Sequence, residues 1–171
     1  MAISDKNFLG FRNHIMESWS IPANEIGDVV RIATQEESQK CLCEFIDLCV
    51  IQEKKSRFLY FMEHGQIEKF VHELNHFQRN LNSSSMVNIG EFLNYKKILS
   101  AFHFHENETV FAISYLRGME RGVITRCDIA VNHVFKSGCG AVICSMKEKE
   151  KFFIYNGEET KEQYVWTNSR R

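Results

Sequence analysis

Two histidines and a glutamate within five residues form the clearest metal-binding pattern in the sequence. They are His72, Glu73 and His76, in the run HELNH. Histidines four residues apart lie one turn apart on the same face of a helix, so both imidazoles could bind one zinc ion. The glutamate between them could then polarise a metal-bound water for hydrolysis. In this interpretation His72 and His76 are metal ligands, and Glu73 is the catalytic residue of a zinc-dependent hydrolase.

These five positions resemble the active-site helix of the zincin metallopeptidases, and the resemblance implies a zinc cofactor and peptidase or related hydrolase activity. Where the metzincin extension has a glycine and a histidine, this chain has Arg79 and Asn82. A catalytic zinc needs a third protein ligand, and a glutamate ligand would have to be Glu91, Glu106 or Glu108. The alternative interpretation is a pair of exposed histidines on the polar face of a helix.

The helix that would carry this pattern is predicted over residues 65–82. Apolar residues recur at helical spacing and form one stripe, whereas both histidines fall on the opposite side. The stripe consists of Ile67, Phe70, Val71, Leu74, Phe77 and Leu81. The sequence therefore predicts a helix that packs on the core and presents its histidines outward.

A second pair of histidines, His103 and His105, would lie on the same side of an extended segment. Together with Glu106 or Glu108 they could bind a metal ion. Solvated histidines in a loop at the end of a helix are the alternative interpretation.

Cys139 lies between two glycines in the run SGCG, residues 137–140, ahead of an apolar segment. These residues resemble the nucleophile loop of viral chymotrypsin-like cysteine proteases, in which glycines let backbone amides approach an oxyanion. The resemblance implies a nucleophilic Cys139, with His133 or another histidine as the base. A tight glycine-containing turn between two strands explains the same residues without catalysis.

Charge and composition exclude several other classes of function. The chain has 21 basic and 22 acidic side chains, so it lacks the broad positive charge that nonspecific nucleic-acid binding requires. Arg117, Arg121 and Arg126 with Tyr115 could form a small anion patch on a hairpin, or simply a solvated strand face. No run of about 20 apolar residues and no signal peptide is found, which predicts a cytoplasmic protein without membrane association.

The order of periodic patterns predicts an α+β fold in one domain, residues 1–171. Helical spacing dominates residues 1–105, and the alternating or apolar runs of strands dominate residues 106–171. The pattern predicts N-terminal helices packed on a C-terminal antiparallel β-meander. The predicted strands are residues 110–116, 123–131, 141–146, 152–155 and 163–166. Residues 57–62 form either a short buried strand or the last turns of a helix, and we favour the strand. A capping box at Thr34 and Glu37 marks the start of one helix.

In general type rather than by any motif, the chain resembles the immunity proteins of bacterial contact-dependent and polymorphic toxin systems. Those are single-domain cytoplasmic proteins of similar size that bind a cognate toxin domain and cover its active site. The resemblance implies a protein partner, no nucleic acid, and neither a cofactor nor enzymatic activity. A zinc-dependent hydrolase built on His72, Glu73 and His76 is the alternative.

Overall fold

The computed structural model of the chain describes residues 5–19, 23–90, 95–158 and 162–169. The α-helices are α1 (Asp5–Trp19), α2 (Ala23–Val29), α3 (Gln35–Cys49), α4 (Gln52–Glu63), α5 (Ile67–Glu73), α6 (Tyr95–Ala101) and α7 (Cys127–Ser137). A 3-10 helix, Leu74–Asn80, follows α5 directly. The strands are β1 (Val30–Ile32), β2 (Val87–Gly90), β3 (Thr109–Ser114), β4 (Val123–Arg126), β5 (Ala141–Ser145), β6 (Phe152–Asn156) and β7 (Gln163–Thr167).

The strands form one seven-stranded sheet in the order β1-β4-β3-β5-β6-β7-β2, and every neighbouring pair is antiparallel. Helices come mostly first and strands mostly last, which confirms the predicted α+β class. Strands β5, β6 and β7 are consecutive neighbours, as in a meander. Between β4 and β5 the chain instead passes through α7 and returns on the other side of β3. The two edge strands, β1 and β2, come from the helical half of the sequence.

Both faces of the sheet are covered by helices. Along β3, Phe111 and Ile113 contact one buried cluster, whereas Val110 and Ala112 contact the other. We call these the α3 face, which packs against α3, α4, α5 and the 3-10 helix, and the α7 face, which packs against α1, α6 and α7. Strands β3, β5 and β6 are buried on both faces, so their sequences are mostly apolar rather than alternating.

The start of α3 is stabilised by the predicted capping box. The Glu37 amide donates to the Thr34 hydroxyl at 3.2 Å, and the Glu37 carboxylate accepts from the Thr34 amide at 2.9 Å. Arg31 on β1 adds a bidentate ion pair to Glu37 at 2.6 and 2.8 Å. The hydrogen bond from Arg31, more than any other contact, lowers the pKa of Glu37 to about 2. This cap therefore joins an edge strand to the longest helix on its face.

Two predicted strands are wrong. Residues 57–62 belong to helix α4, in which Phe58 and Met62 lie one turn apart and face the core. Residues 123–131 form a strand only as far as Arg126, and α7 begins at Cys127. The alternation of apolar residues with Arg126 and Asp128 is typical of a half-buried strand. In α7, however, the polar side chains Asp128 and Asn132 are buried together with the apolar ones, so the helix shows no exposed polar stripe over its first two turns.

None of the helices within the described ranges has both the length and the apolar character needed to cross a bilayer. All six cysteines are free thiols, and Cys41, Cys49, Cys127 and Cys144 are fully buried. Burial raises the pKa of each of these four thiols. They pack as small apolar side chains.

Candidate functional site

The helix predicted over residues 65–82 is interrupted between its two histidines. The α-helix ends at Glu73, a 3-10 helix continues to Asn80, and His76 has non-helical backbone angles. The buried Tyr155 hydroxyl donates to the Leu74 carbonyl at 2.6 Å and accepts from the Phe77 amide at 3.1 Å. In a continuous α-helix, this carbonyl and this amide would form hydrogen bonds with backbone groups four residues away. A side chain that bonds to them instead interrupts this pattern and kinks the helix.

The apolar stripe of this segment is otherwise as predicted. Phe70, Val71, Leu74 and Phe77 are buried, and both histidines are exposed. His72 contacts the ring of Tyr115, with ring centroids 5.3 Å apart. Glu73 forms an ion pair with Arg57 of α4. The glutamate of the HELNH pattern therefore links two helices.

No third ligand joins His72 and His76 in the part of the chain that the structure describes. In residues 5–19, 23–90, 95–158 and 162–169, no group of three histidine, cysteine or carboxylate side chains is placed to hold a metal. Glu91 lies outside the described residues. Glu108 is buried, where it accepts a hydrogen bond from Ser145 at 2.7 Å and pairs with Lys147 at 3.2 Å.

His103 and His105 are both exposed and lie in a turn rather than in an extended segment. His103 has a left-handed backbone conformation, with φ of 55°. The ring of Phe104 between them stacks on Phe152 of the sheet, with centroids 3.8 Å apart. Phe104 therefore attaches this loop to the sheet, whereas the two histidines beside it point to solvent.

The two glycines around Cys139 have structural roles at the junction of α7 and β5. Gly138 ends α7 in the left-handed conformation, φ 67°, which glycine adopts most easily. A Cβ atom on Gly140 would lie 2.3 Å from the Leu74 carbonyl oxygen. Burial raises the pKa of the Cys139 thiol, which disfavours the thiolate that a nucleophile needs. The turn joins a helix to a strand, not two strands as predicted.

A pocket of about 740 Å³ lies between α1, α7 and the segment that follows β3. It is lined by Lys6, Gly10, Phe11 and His14 of α1, by Leu116 and Arg117 after β3, and by His133, Lys136 and Ser137 of α7. Five of the lining side chains that the structure describes are basic, and none of those described is acidic. We call this the basic pocket. Its volume falls in the range of small-molecule sites, roughly 300–1,000 Å³.

His133 forms the inner wall of the basic pocket, with only 5% of its surface exposed. Its ring packs edge-on against Phe11 at 4.9 Å and against His14 at 5.1 Å between centroids. Burial, with smaller effects of the nearby His14 and Lys136, lowers the pKa of His133 to about 4. The buried imidazole is therefore neutral at pH 7, and the cations around it create a positive potential.

Sequence reasoning missed this pocket because its residues come from three distant parts of the chain. His133 was assigned the role of a base for Cys139, but its ring contacts are with α1. Arg117 lines the pocket, whereas Arg126 from the same predicted anion patch pairs with Asp128 at 2.7 Å. The available signal was the spacing of Lys6, Gly10 and His14, four residues apart on one helix face.

A second candidate surface is the edge of the sheet at β2. This strand pairs only with β7 among the described strands, and Val87 at its start is 51% exposed. Just before β2, the Ser85 hydroxyl donates to the Leu48 carbonyl at 3.1 Å. Leu48 at the end of α3 is also exposed, at 36%. Two exposed aliphatic side chains therefore occur at or near this edge.

Comparison of the chain with protein-family models, with curated proteins and with solved structures finds no match. A functional proposal therefore rests on the residues of this chain: the β2 edge and the basic pocket.

Proposed function

We propose that the chain is a cytoplasmic protein-binding module of the immunity type, which binds a cognate toxin domain and covers its active site. The observation that carries the proposal is the open edge of strand β2. A strand at a sheet edge has unpaired backbone donors and acceptors, to which an extended segment of a partner can add.

The sequence of β2 does not protect this edge against pairing. Natural edge strands are usually blocked by lysine, other charged residues or proline. The residues of β2 are Val87, Asn88, Ile89 and Gly90, none of which is charged. A register shift between Asn88 and Gly90 limits regular pairing to the first part of the strand. A partner strand would therefore add beside Val87 and Asn88.

The opposite edge of the sheet is less suited to strand addition. Strand β1 has only three residues. Its central residue, Arg31, carries a charge and is held in the ion pair with Glu37. Short length and charge both oppose pairing with another chain. The contrast between the two edges favours β2 as the binding side.

The surroundings of β2 supply the side chains that a protein interface uses. Stable interfaces need apolar anchors at the centre and polar groups at the rim. Val87 and Leu48 are exposed aliphatic side chains, and Asp47 beside Leu48 is charged and largely exposed. The near-neutral net charge of −1 also suits a protein partner better than a nucleic acid.

A growth-rescue experiment tests this proposal. The chain is co-expressed with each candidate toxin domain found in neighbouring open reading frames, and binding of the two purified proteins is measured. We expect the wild-type chain to restore growth and bind the toxin. Val87→Lys places a charge on the edge and should abolish both effects, whereas Val87→Thr should retain them.

Tyr60→Lys is the matched control, since Tyr60 is an equally exposed residue on α4, at 50%. Circular dichroism confirms that each variant is folded. Absence of rescue and binding by the wild-type chain would overturn the immunity proposal. Rescue by Val87→Lys at the wild-type level would overturn the assignment to β2.

The described contacts of His72 and Glu73 do not favour the zinc-dependent hydrolase. The helix changes type between His72 and His76, and Glu73 is paired with Arg57. A metalloprotease helix needs both histidines on one face and a glutamate directed at the bound water. We therefore propose the binding function alone.

A further inference from the structure

The basic pocket concentrates positive charge in a concave site. Lys6 and His14 reach it from α1, Arg117 from the segment after β3, and Lys136 from α7, whereas the buried His133 is neutral. The chain as a whole has a net charge of −1, so this clustering does not reflect a generally basic surface. Like charges that share a cleft repel one another, and the cleft focuses their field on whatever enters it.

The state of His133 reports this field from inside the pocket. His14 and Lys136 both act, after burial, to lower its pKa to about 4. A group that is made harder to protonate by its neighbours lies in a positive potential. The cations Lys6, Arg117 and Lys136, which line the same pocket, attract an anion, so the lining favours a negatively charged occupant.

The chemistry of the lining indicates which anion would fit. A guanidinium group binds phosphate through two parallel hydrogen bonds, and lysine binds it as a point charge. Arg117 and Lys136 are both present at the rim, and both side chains are exposed. A phosphate carries close to two negative charges at neutral pH and has three acceptor oxygens, so it matches several cations better than a single carboxylate does.

The size of the pocket indicates that the ligand is more than a phosphate ion. A volume of about 740 Å³ is far larger than an inorganic anion needs. Phe11 and Leu116 provide apolar surface beside the cations. Small-molecule sites typically combine such apolar walls with a few polar groups that fix the ligand's orientation.

We propose that the basic pocket binds a small phosphorylated molecule, a phosphate monoester whose organic part is about the size of a nucleoside. Arg117, Lys136 and His14 bind the phosphate group, and Phe11 and Leu116 contact the organic part. The pocket shares no residue with the β2 edge, so this ligand site is independent of the proposed protein interface.

Isothermal titration calorimetry of the full chain tests the proposal. The probes are inorganic phosphate, adenosine 5′-monophosphate, glucose 6-phosphate and unphosphorylated adenosine. We expect at least one phosphate monoester to bind with a stoichiometry of one and more tightly than inorganic phosphate. Adenosine should not bind measurably, and added salt should weaken binding of the monoester.

Arg117→Gln and Lys136→Gln each remove one cation from the rim, and we expect each to weaken monoester binding by about tenfold or more. Arg121→Gln is the matched control, because Arg121 is an exposed arginine four residues from Arg117 and does not line the pocket. Its affinity should stay within about twofold of wild type, a shift expected of a charge outside the site.

Three results would overturn the proposal. They are no binding by any phosphorylated probe at millimolar concentration, equal binding of adenosine and its monophosphate, and equal weakening by Arg121→Gln and Arg117→Gln. Thermal unfolding of each variant without ligand shows whether it is folded. Growth rescue by Arg117→Gln should remain at the wild-type level, which separates this site from the proposed toxin interface.

Discussion

Tyr155 decides the shape of the segment that carries the HELNH pattern. Its hydroxyl lies inside the core and bonds to the Leu74 carbonyl and the Phe77 amide. Burial raises the pKa of this phenol, so the hydroxyl stays protonated and keeps its donor. A residue about 80 positions away in sequence therefore determines where the helix ends. No local pattern in residues 65–82 contains this information.

Removing this hydroxyl should destabilise the protein. Tyr155→Phe leaves a buried carbonyl and a buried amide without their partner, which costs about 1–3 kcal/mol in the free energy of unfolding. Urea denaturation measures this change. Tyr164→Phe is the control, since the Tyr164 hydroxyl bonds to Glu162 at a half-buried position, and we expect it to cost less than about 0.5 kcal/mol. Equal losses in the two variants would contradict the role given to Tyr155.

His133 should make the protein sensitive to mild acid. Its pKa is about 4 in the folded protein, mainly because of burial, against 6.5 as the ordinary value. Between these values the unfolded chain binds more protons at this position than the folded protein does, so stability falls as the pH falls. The full difference corresponds to roughly 3 kcal/mol below pH 4. Besides His14 and Lys136, the cations Lys6 and Arg117 line the same pocket and oppose protonation.

The prediction is checked by urea denaturation of wild type and His133→Gln at several values between pH 7 and pH 4. The wild-type free energy of unfolding should fall more steeply than that of His133→Gln. His105→Gln, which changes an exposed histidine, should follow the wild-type curve. Parallel curves for wild type and His133→Gln would show that this histidine is not the source of the acid sensitivity.

Among the elements, α3 has the start that the sequence predicts. Thr34→Ala removes the hydroxyl that accepts from the Glu37 amide, and the loss of such a cap costs about 1 kcal/mol. Thr34→Ser keeps a capping hydroxyl and should stay within a few tenths of a kcal/mol of wild type. Thermal or urea unfolding of the two variants gives the comparison. A Thr34→Ser loss as large as that of Thr34→Ala would contradict the capping role.

The elements that sequence patterns predicted correctly are those with local signals. The capping box marked α3, and the apolar runs of β3, β5, β6 and β7 were placed within about two residues of their observed ends. The errors fall where a short local pattern suits both a helix and a strand. The alternation around Arg126 and Asp128 is typical of a strand, but α7 begins at Cys127 and buries its polar side chains with the apolar ones. The short run at residues 57–62 likewise does not distinguish the two structures, and it belongs to α4.

At the scale of the whole molecule, helices on both faces of the sheet explain why the candidate site could not be predicted. The sequence placed helices before the sheet, but α7 follows β4 and covers the same face as α1. Only this arrangement brings His14 next to His133, with ring centroids 5.1 Å apart. A cluster assembled from residues more than 100 positions apart leaves no spacing that a motif could report.

The two edges of the sheet differ in length, charge and exposure. One edge, β1, is short and charged, whereas the other, β2, is uncharged and carries the exposed Val87. Both edge strands come from the helical half of the chain. They enclose the five strands of the sheet half, β3 to β7. The sequence predicted a possible edge strand at residues 163–166, but β7 lies inside the sheet because β2 pairs with it.

Amide hydrogen exchange of the chain, alone and mixed with a candidate toxin domain, tests the proposed function most directly. Strand addition at β2 should slow exchange of amides in Val87–Gly90 when the toxin domain is present, because a partner strand then bonds to them. Exchange in α4 around Tyr60 should be unchanged. Absence of a complex, or protection that spares β2 and falls elsewhere, would contradict the account.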